Sequence, residues 1–195
     1  MYVAIEGIDT CGKSTQIELL KTRYPDATFT KEPGGSALGE QIRNLILYPS
    51  HNAPLDSRAE LFLFLADRAQ HYHEVLSHHR HTQTLVISDR SLVSGIAYAK
   101  DVDKEWNLAL NIFALREMLP DLVVILKLDR DTLCDRMRQK SHDHIESRGI
   151  DYMLTIQDQF ISIVQMMKVK FVILDAKQSQ EVILERICAE IGNLM

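Results

Sequence analysis

The chain has 195 residues, of which 46% are apolar and 25% are charged, and its formal net charge at pH 7 is −5. This length and composition are typical of a single globular domain, here residues 1–195, and an acidic chain disfavours a nucleic-acid polymer as its partner. No apolar run approaches the roughly 18 residues of a membrane-spanning helix. The three cysteines lack metal-ligand spacing, which favours a reducing compartment such as the cytoplasm.

The first two predicted elements are a strand and a helix joined by a glycine-rich loop. Residues 2–6 are mostly apolar and predict a buried strand, and a helical pattern begins near Lys13. Gly7 is followed, after four residues, by Gly12-Lys13-Ser14, which is the spacing of a phosphate-binding loop. In such loops the backbone N–H groups converge on a phosphate and the helix adds its positive dipole end. We therefore predict a nucleoside triphosphate site formed by Gly7, Ile8, Asp9, Thr10, Cys11, Gly12, Lys13, Ser14 and Thr15.

A second strand is predicted over residues 27–31, and a polar turn with helix-start character follows it at residues 32–36. The helix after this turn ends near Tyr48, because a proline comes next. A long helix is then predicted from Ser57 to about His79, with a capping-box pattern at its first residues.

The buried stripe of this long helix contains a cation, Arg68, one turn from Phe64. A guanidinium in apolar surroundings requires either an internal carboxylate or a bound polar ligand, and the helical pattern leaves both open. The opposite face is predicted to be exposed to solvent, and the histidines between positions 71 and 81 are predicted to be a solvated surface rather than a metal site. The residues assigned to the exposed face are Glu60, Asp67, Gln70, His71 and Glu74.

A third strand is predicted over residues 84–88 and is followed directly by Asp89 and Arg90. An acidic residue at the carboxyl end of a buried strand is where phosphate-loop proteins hold Mg²⁺. We therefore predict Ser14 and Asp89 as the metal site, with Arg90 facing the same crevice. Lys13 is predicted to reach the outer phosphates of the nucleotide.

The second half of the chain alternates helices and strands around one polar segment. Residues 138–149 have almost no apolar content and are locally cationic. They form either a solvated loop or a mobile lid, about 136–149, that folds over the triphosphate and brings arginines to it. The other predicted elements are helices near 92–99, 106–118, 131–137, 153–164 and 181–194, and strands at 122–128 and 171–174.

Five apolar strands that alternate with helices predict an α/β fold with a parallel sheet covered by helices on both faces. Ligands of such sheets bind at the carboxyl ends of the strands. The phosphate loop, the turn at 32–36 and the pair at 89–90 all follow strands directly. We therefore expect these three segments to converge on one crevice.

Motifs that occur in order along nearly the whole chain resemble the thymidylate kinase family. They are the phosphate loop within residues 6–16, Lys-Glu-Pro-Gly-Gly at 31–35, Leu-Phe-Leu-Ala-Asp-Arg at 63–68, Asp-Arg at 89–90 with residues 94–98, and Asp-His-Ile-Glu at 143–146. The resemblance implies a fold like that of phosphate-loop nucleoside monophosphate kinases. It also implies transfer of the γ-phosphoryl group of ATP to dTMP, with Mg²⁺, in a homodimer.

The same resemblance implies which residues bind the acceptor. Phe64 would stack on the thymine ring, and Arg68 would donate a hydrogen bond to a base carbonyl. Arg43 and Arg90 would hold the monophosphate, and Tyr98 would exclude a ribose 2′-hydroxyl. Replacing Arg68 by alanine would accordingly raise the KM for dTMP before it harms folding. The full predicted acceptor set is Asp9, Pro33, Arg43, Phe64, Arg68, Arg90, Ser94, Gly95 and Tyr98.

Catalysis would rest on charge stabilisation of the moving phosphoryl group, because this reaction needs little covalent chemistry. The phosphate loop has Thr10 where one branch of the family has an arginine, so an arginine of the lid must supply that charge. Asp9 would accept a hydrogen bond from the 3′-hydroxyl of the sugar. The predicted catalytic residues are Lys13, Asp89, Arg90, Arg136 and Arg138.

Two other functions are alternatives to this one. A GTP-binding switch needs a D-x-x-G turn, but the residues after the third strand are Asp89-Arg90-Ser91-Leu92, without the glycine. A kinase for another small acceptor is the closer alternative. The family commonly has an aromatic residue or histidine where this chain has Ser91, and Gly95 and Ala99 lack side chains that could read the base. Discrimination between bases would then rest on Arg68, backbone groups and water.

Overall fold

The computed structural model describes residues 1–48, 55–80, 82, 84–138 and 149–194. Within these ranges five strands form one sheet with the order β2-β3-β1-β4-β5, and every pair is parallel. The predicted five-stranded parallel α/β fold is therefore confirmed. The strands are β1 (Tyr2–Gly7), β2 (Thr28–Lys31), β3 (Val86–Asp89), β4 (Leu122–Lys127) and β5 (Phe171–Asp175).

Helices connect the strands as the sequence predicts. They are α1 (Lys13–Arg23), α2 (Ala37–Leu47), α3 (Ser57–His71), α4 (Ser77–His79), α5 (Leu92–Tyr98), α6 (Lys104–Ala114), α7 (Arg130–Met137), α8 (Ile150–Met167) and α9 (Gln180–Gly192). The predicted long second-quarter helix consists of α3, a π-helical segment (Tyr72–Leu76) and α4. No helix in the described parts of the chain is long and apolar enough to cross a membrane.

The core lies around the central strands of the sheet. All six residues of β1 are buried, and α1 and α8 both pack against this strand. β4 is buried over its first five residues, so an uninterrupted apolar run is accommodated without an exposed face. Fully buried side chains of α8, such as Phe160, complete this core.

Residue pairing across the sheet brings the functional segments to one edge. Asp89, the last residue of β3, lies opposite Ile5 of β1 and opposite Lys31 of β2. The phosphate loop after β1, the turn after β2 and Arg90 after β3 therefore start side by side. The predicted crevice lies at this carboxyl edge.

The exposure predicted for one face of α3 is wrong at two positions. Asp67 and His71 are both fully buried. The reason is that α3 packs against α2 as well as against α5 and α6, so more than one side of this helix is covered. The helix begins at Ser57 as predicted, but its capping residue is Asp56, whose carboxylate accepts a hydrogen bond from Arg58 N at 3.0 Å.

Candidate functional site

The phosphate loop has a backbone conformation that its glycines make possible. Gly12 has a φ of 93°, in the left-handed region that favours glycine. A Cβ on Gly7 would lie 2.5 Å from Cys11 Sγ, so only glycine fits at the end of β1. Residues 8–15, with Arg136, surround a cavity of about 360 Å³, which we call the loop cavity. Every predicted triphosphate-binding residue after Gly7 therefore borders one space.

Lys13 and Asp89 form an ion pair, with Lys13 Nζ 2.6 Å from Asp89 Oδ1. The Ser14 hydroxyl follows Lys13 in the first turn of α1, and all three residues border a neighbouring cavity. A hydroxyl and a carboxylate are the oxygen ligands that Mg²⁺ prefers. The residues present thus fit the predicted metal site, and when bound there the ion would neutralise phosphate charge.

A second cavity, about 280 Å³ and here called the central cavity, opens beside the loop cavity. The two cavities share Asp9, Lys13 and Ser14. The structure places all nine predicted acceptor-binding residues on the walls of the central cavity. They are Asp9, Pro33, Arg43, Phe64, Arg68, Arg90, Ser94, Gly95 and Tyr98.

Arg90 is held in the central cavity by several contacts at once. Its Nη2 lies 2.8 Å from Asp9 Oδ1, and its Nη1 donates to the Gly7 carbonyl at 3.1 Å and to Ser94 Oγ at 3.1 Å. The guanidinium also lies 5.7 Å from the centre of the Tyr98 ring. These contacts leave Arg90 little rotational freedom, so its guanidinium is fixed at the wall of the central cavity.

Arg68 is paired with a carboxylate of the protein, which is one of the two alternatives that its place in the apolar stripe left open. Its side chain is 2% exposed, and Nε donates to Glu32 Oε2 at 2.8 Å. Its Nη1 donates to Asn111 Oδ1 and its Nη2 to the Ser91 carbonyl at 3.4 Å. Arg68 nonetheless lines the central cavity, so internal pairing does not remove it from the site.

Glu32 is the centre of this buried polar cluster. Its second oxygen, Oε1, lies 2.9 Å from His71 Nδ1, and the other ring nitrogen of His71 lies 2.7 Å from Thr30 Oγ1. Burial by itself would raise the pKa of Glu32, but the positive charge of Arg68 and the hydrogen bond from His71 outweigh burial and lower this pKa. Glu32 therefore stays ionised and holds Arg68 in place.

The Asp67 side chain stabilises the turn after β2. Its Oδ1 accepts a hydrogen bond from Gly34 N at 2.9 Å, and Gly34 has a φ of 103°. Burial raises the pKa of this carboxyl. Through this contact α3 fixes the turn that carries Pro33 into the central cavity.

Glu6 organises the start of α5 from beneath. This fully buried carboxylate accepts hydrogen bonds from Ser91 Oγ at 2.7 Å and from Ser94 Oγ at 2.5 Å. Burial raises the pKa of Glu6, and the nearby Arg90 charge and the two hydroxyls offset only part of that effect. Ser91, which departs from the family pattern, is thus a hydrogen-bonding partner of the first strand.

The two predicted lid arginines occupy different environments. Arg136 lies within α7 and borders the loop cavity, where its guanidinium donates to the Thr10 carbonyl at 3.0 Å and to the Ala176 carbonyl at 2.9 Å. Arg138 is 80% exposed and lies near Asp135, at 3.4 Å. The greater part of the predicted lid, residues 139–148, lies outside the described residues.

Four functional residues were missed by the sequence reasoning, or were placed wrongly by it. Glu6 could have been recognised, because an acidic residue inside a buried apolar strand requires buried partners. His71 and Asp67 were assigned to solvent, and Asn111 gave no signal in the pattern of α6. In the described residues no cluster of histidine, cysteine and carboxylate side chains could hold a metal ion, including those of the histidine-rich segment; His81 lies outside them.

Comparison with known proteins identifies the same family along nearly the whole chain. A family model described as thymidylate kinase matches residues 5–187. A thymidylate kinase of Helicobacter hepaticus is 61% identical over 193 residues, which cover 98% of this chain and 96% of that protein. One from Campylobacter jejuni is 49% identical over 185 residues, or 93% of this chain and 94% of that protein. The crystal structure of a thymidylate kinase from Ehrlichia chaffeensis has the same fold, with a TM-score of 0.76 over 98% of both chains at 24% identity.

Proposed function

Because the chain belongs to the thymidylate kinase family, we propose that it transfers the γ-phosphoryl group of ATP to dTMP, giving dTDP and ADP. The observation that carries this proposal is the pair of adjoining cavities at the carboxyl edge of the sheet. One is bordered by the phosphate loop, and the other by all the expected acceptor-binding side chains. Their shared wall, with Lys13 between them, is where a phosphoryl group would pass.

The contacts of the central cavity support a division of labour in acceptor binding. Arg43 and Arg90 would hold the dTMP phosphate, with Arg43 positioned by a 2.9 Å hydrogen bond to the Pro33 carbonyl. Phe64 would stack on the thymine ring, and Arg68 would donate to a base carbonyl. Asp9 would accept from the sugar 3′-hydroxyl.

Two small features at the base and sugar support the fit to a deoxynucleotide. A Cβ on Gly95 would lie 2.8 Å from Arg68 Nη2, so the glycine leaves space for the guanidinium beside Ser94. Tyr98 is held under Arg90 and packs edge-on against Phe160, with ring centres 6.2 Å apart. A ring fixed in this way would exclude a ribose 2′-hydroxyl.

On the ATP side of the site, positive charges in fixed positions would stabilise the phosphates. Lys13 would contact the outer phosphates of ATP, and we propose that Ser14 and Asp89 hold the Mg²⁺ that these phosphates require. Arg136 borders the loop cavity from the side of α7, and together with Arg138 it is proposed to stabilise the transferring group. Arg136 is already held by two backbone carbonyls, which supports a fixed position beside the phosphate loop.

The acceptor can be identified by measuring ADP release with ATP and a panel of dTMP, dUMP, dCMP, AMP and shikimate. We expect kcat/KM to be highest for dTMP, with dUMP second, because the two differ by one methyl group. One methyl in an apolar pocket discriminates about tenfold or somewhat more. A clear preference for any acceptor outside the thymidine and deoxyuridine pair would refute the proposal.

We also propose a homodimer, which the family resemblance implies. Phe62 of α3 and Trp106 and Phe113 of α6 are large apolar side chains that are 59%, 54% and 82% exposed, on two helices that pack together. Light scattering should give twice the mass of one chain, and Phe113→Glu should shift the protein to the monomer. Val182→Glu, on α9, is the control and should leave the dimer intact. A monomeric parent protein would contradict the proposal.

A cytoplasmic location completes the proposal. Its support is that Cys11, Cys134 and Cys188 are all free thiols, as is usual in a reducing compartment. Fractionation of cells that express a tagged copy of the chain would test this location.

A further inference from the structure

We propose that Lys31 is a further phosphate-binding residue of the acceptor site, and that Glu40 is the counter-ion it exchanges for the dTMP phosphate. This inference rests on the proposed function, since it concerns the same acceptor. Lys31 is the last residue of β2 and borders the central cavity together with Lys13, Arg43 and Arg90.

The position of Lys31 in the sheet brings it close to the residues proposed to act in phosphoryl transfer. Its Cα lies opposite Asp89, whose carboxylate holds Lys13. Lys31 also borders the groove that contains Ser14 and Asp89 on the other side of the turn. Lys31 therefore borders both the central cavity and the neighbouring groove, each of which is also lined by the proposed metal residues Ser14 and Asp89.

The side chains of Lys31 and Arg43 both lie close to Gly34, in the turn after β2. A Cβ on Gly34 would lie 3.3 Å from Lys31 Cε and 3.0 Å from Arg43 Cδ. Because the methylene groups of both side chains lie near Gly34, the two cations extend from the same part of the turn and can share an anion, which offsets their mutual repulsion. A phosphate is the natural anion for such a pair, because each cation can donate to a different oxygen.

In the structure the anion beside Lys31 is Glu40, with Lys31 Nζ 2.6 Å from Glu40 Oε1. The hydrogen bond and charge of Lys31 lower the pKa of Glu40, so this carboxylate is ionised at neutral pH. The Lys31 side chain is 45% and the Glu40 side chain 55% exposed, and ion pairs this exposed contribute little to stability. Exchange of Glu40 for a doubly charged phosphate, with Arg43 beside it, is therefore favourable.

The exchange has a consequence for the reaction. Two polyanions must approach each other, and each cation that turns towards them lowers their mutual repulsion. Lys31 would contact the substrate phosphates only when a phosphate displaces Glu40. It would therefore add positive charge to the site when the acceptor binds.

Steady-state kinetics of five proteins test this inference: wild type, Lys31→Met, Lys31→Arg, Glu40→Gln and the double variant Lys31→Met with Glu40→Gln. Lys31→Met should raise the KM for dTMP about tenfold, as expected for loss of a hydrogen bond between charged groups, with the KM for ATP unchanged. Glu40→Gln should lower the KM for dTMP about two- to threefold, because the competing anion is gone. In the Lys31→Met background Glu40→Gln should have no effect, and Lys31→Arg should retain a KM near that of wild type.

The matched control is Lys170→Met. Lys170 forms a comparable ion pair, Nζ to Glu190 Oε2 at 3.2 Å, but it lies just before the amino end of β5, at the opposite edge of the sheet. Replacing Lys170 by methionine should change neither the KM for dTMP nor the KM for ATP. Thermal unfolding of each variant normalises the rates to folded protein.

An unchanged KM for dTMP in folded Lys31→Met would overturn the inference, and so would a rise confined to the KM for ATP. If wild type does not phosphorylate dTMP, the proposed function fails and this inference with it. If wild type is active and Lys31→Met matches it, only the role of Lys31 fails.

Discussion

Replacing Lys13 by methionine is expected to lower kcat by about 10²–10³-fold, the usual loss when one preorganised donor to a developing charge is removed. Lys13 begins α1 and borders both cavities, so it can contact a phosphoryl group throughout its transfer. Methionine keeps the length of the buried stem and removes only the charge. The measurement is ADP release with ATP and dTMP, with both KM values determined.

Folding should be nearly unaffected by this substitution, since the partner of Lys13, Asp89, is 29% exposed and remains hydrated when the lysine is absent. Lys21→Met is the control on the same helix, because it removes an exposed lysine that pairs with Glu18 one turn away. It should retain wild-type kcat. Activity of Lys13→Met within a few-fold of wild type would contradict the role given to the phosphate loop.

The parts of this protein that the sequence predicts are those governed by local pattern. The strand–loop–helix around Gly12 and the apolar run of β4 depend on neighbouring residues, and the structure has both where the sequence indicates. The convergence of three loops also follows, because parallel strands place their carboxyl ends at one edge. Sequence pattern therefore gives the fold and the location of the crevice.

The partners inside the crevice depend on contacts that no local pattern records. Arg68 meets Glu32 from 36 positions away and Asn111 from 43 positions away. The helical pattern of α3 correctly indicates that Arg68 needs a partner, but it cannot choose between a carboxylate of the protein and a ligand. It fails for His71, since a single apolar stripe does not describe a helix that is covered on several sides.

The same buried cluster connects the proposed recognition of the base to stability of the fold. Glu32 lies in the turn after β2, Arg68 and His71 on α3, and Asn111 on α6. Each group satisfies the polar atoms of another, as buried networks require. The group proposed to read the base is therefore fixed by three separate elements of the fold, which suits precise recognition.

Arg68→Ala is therefore expected to change two properties together. The free energy of unfolding should fall by about 3–5 kcal/mol, because Glu32 is left as a buried charge without its guanidinium partner. The KM for dTMP in the remaining folded protein should rise about tenfold or more, through loss of the hydrogen bond to the base. The sequence alone predicts that the KM for dTMP rises before folding is harmed. The 2.8 Å buried ion pair between Arg68 and Glu32 predicts instead that stability and KM change together.

The double variant Arg68→Met with Glu32→Gln separates the two effects. Removing both charges leaves no unpaired ion in the interior, so much of the lost stability should return, as it does when a buried pair is replaced by neutral groups. The KM for dTMP should remain high, because no guanidinium faces the base. Denaturant unfolding and kinetics on the same samples measure both quantities. Recovery of both stability and KM in the double variant would show that Arg68 serves the fold alone, and an unchanged unfolding free energy in Arg68→Ala would show that the ion pair contributes nothing to stability.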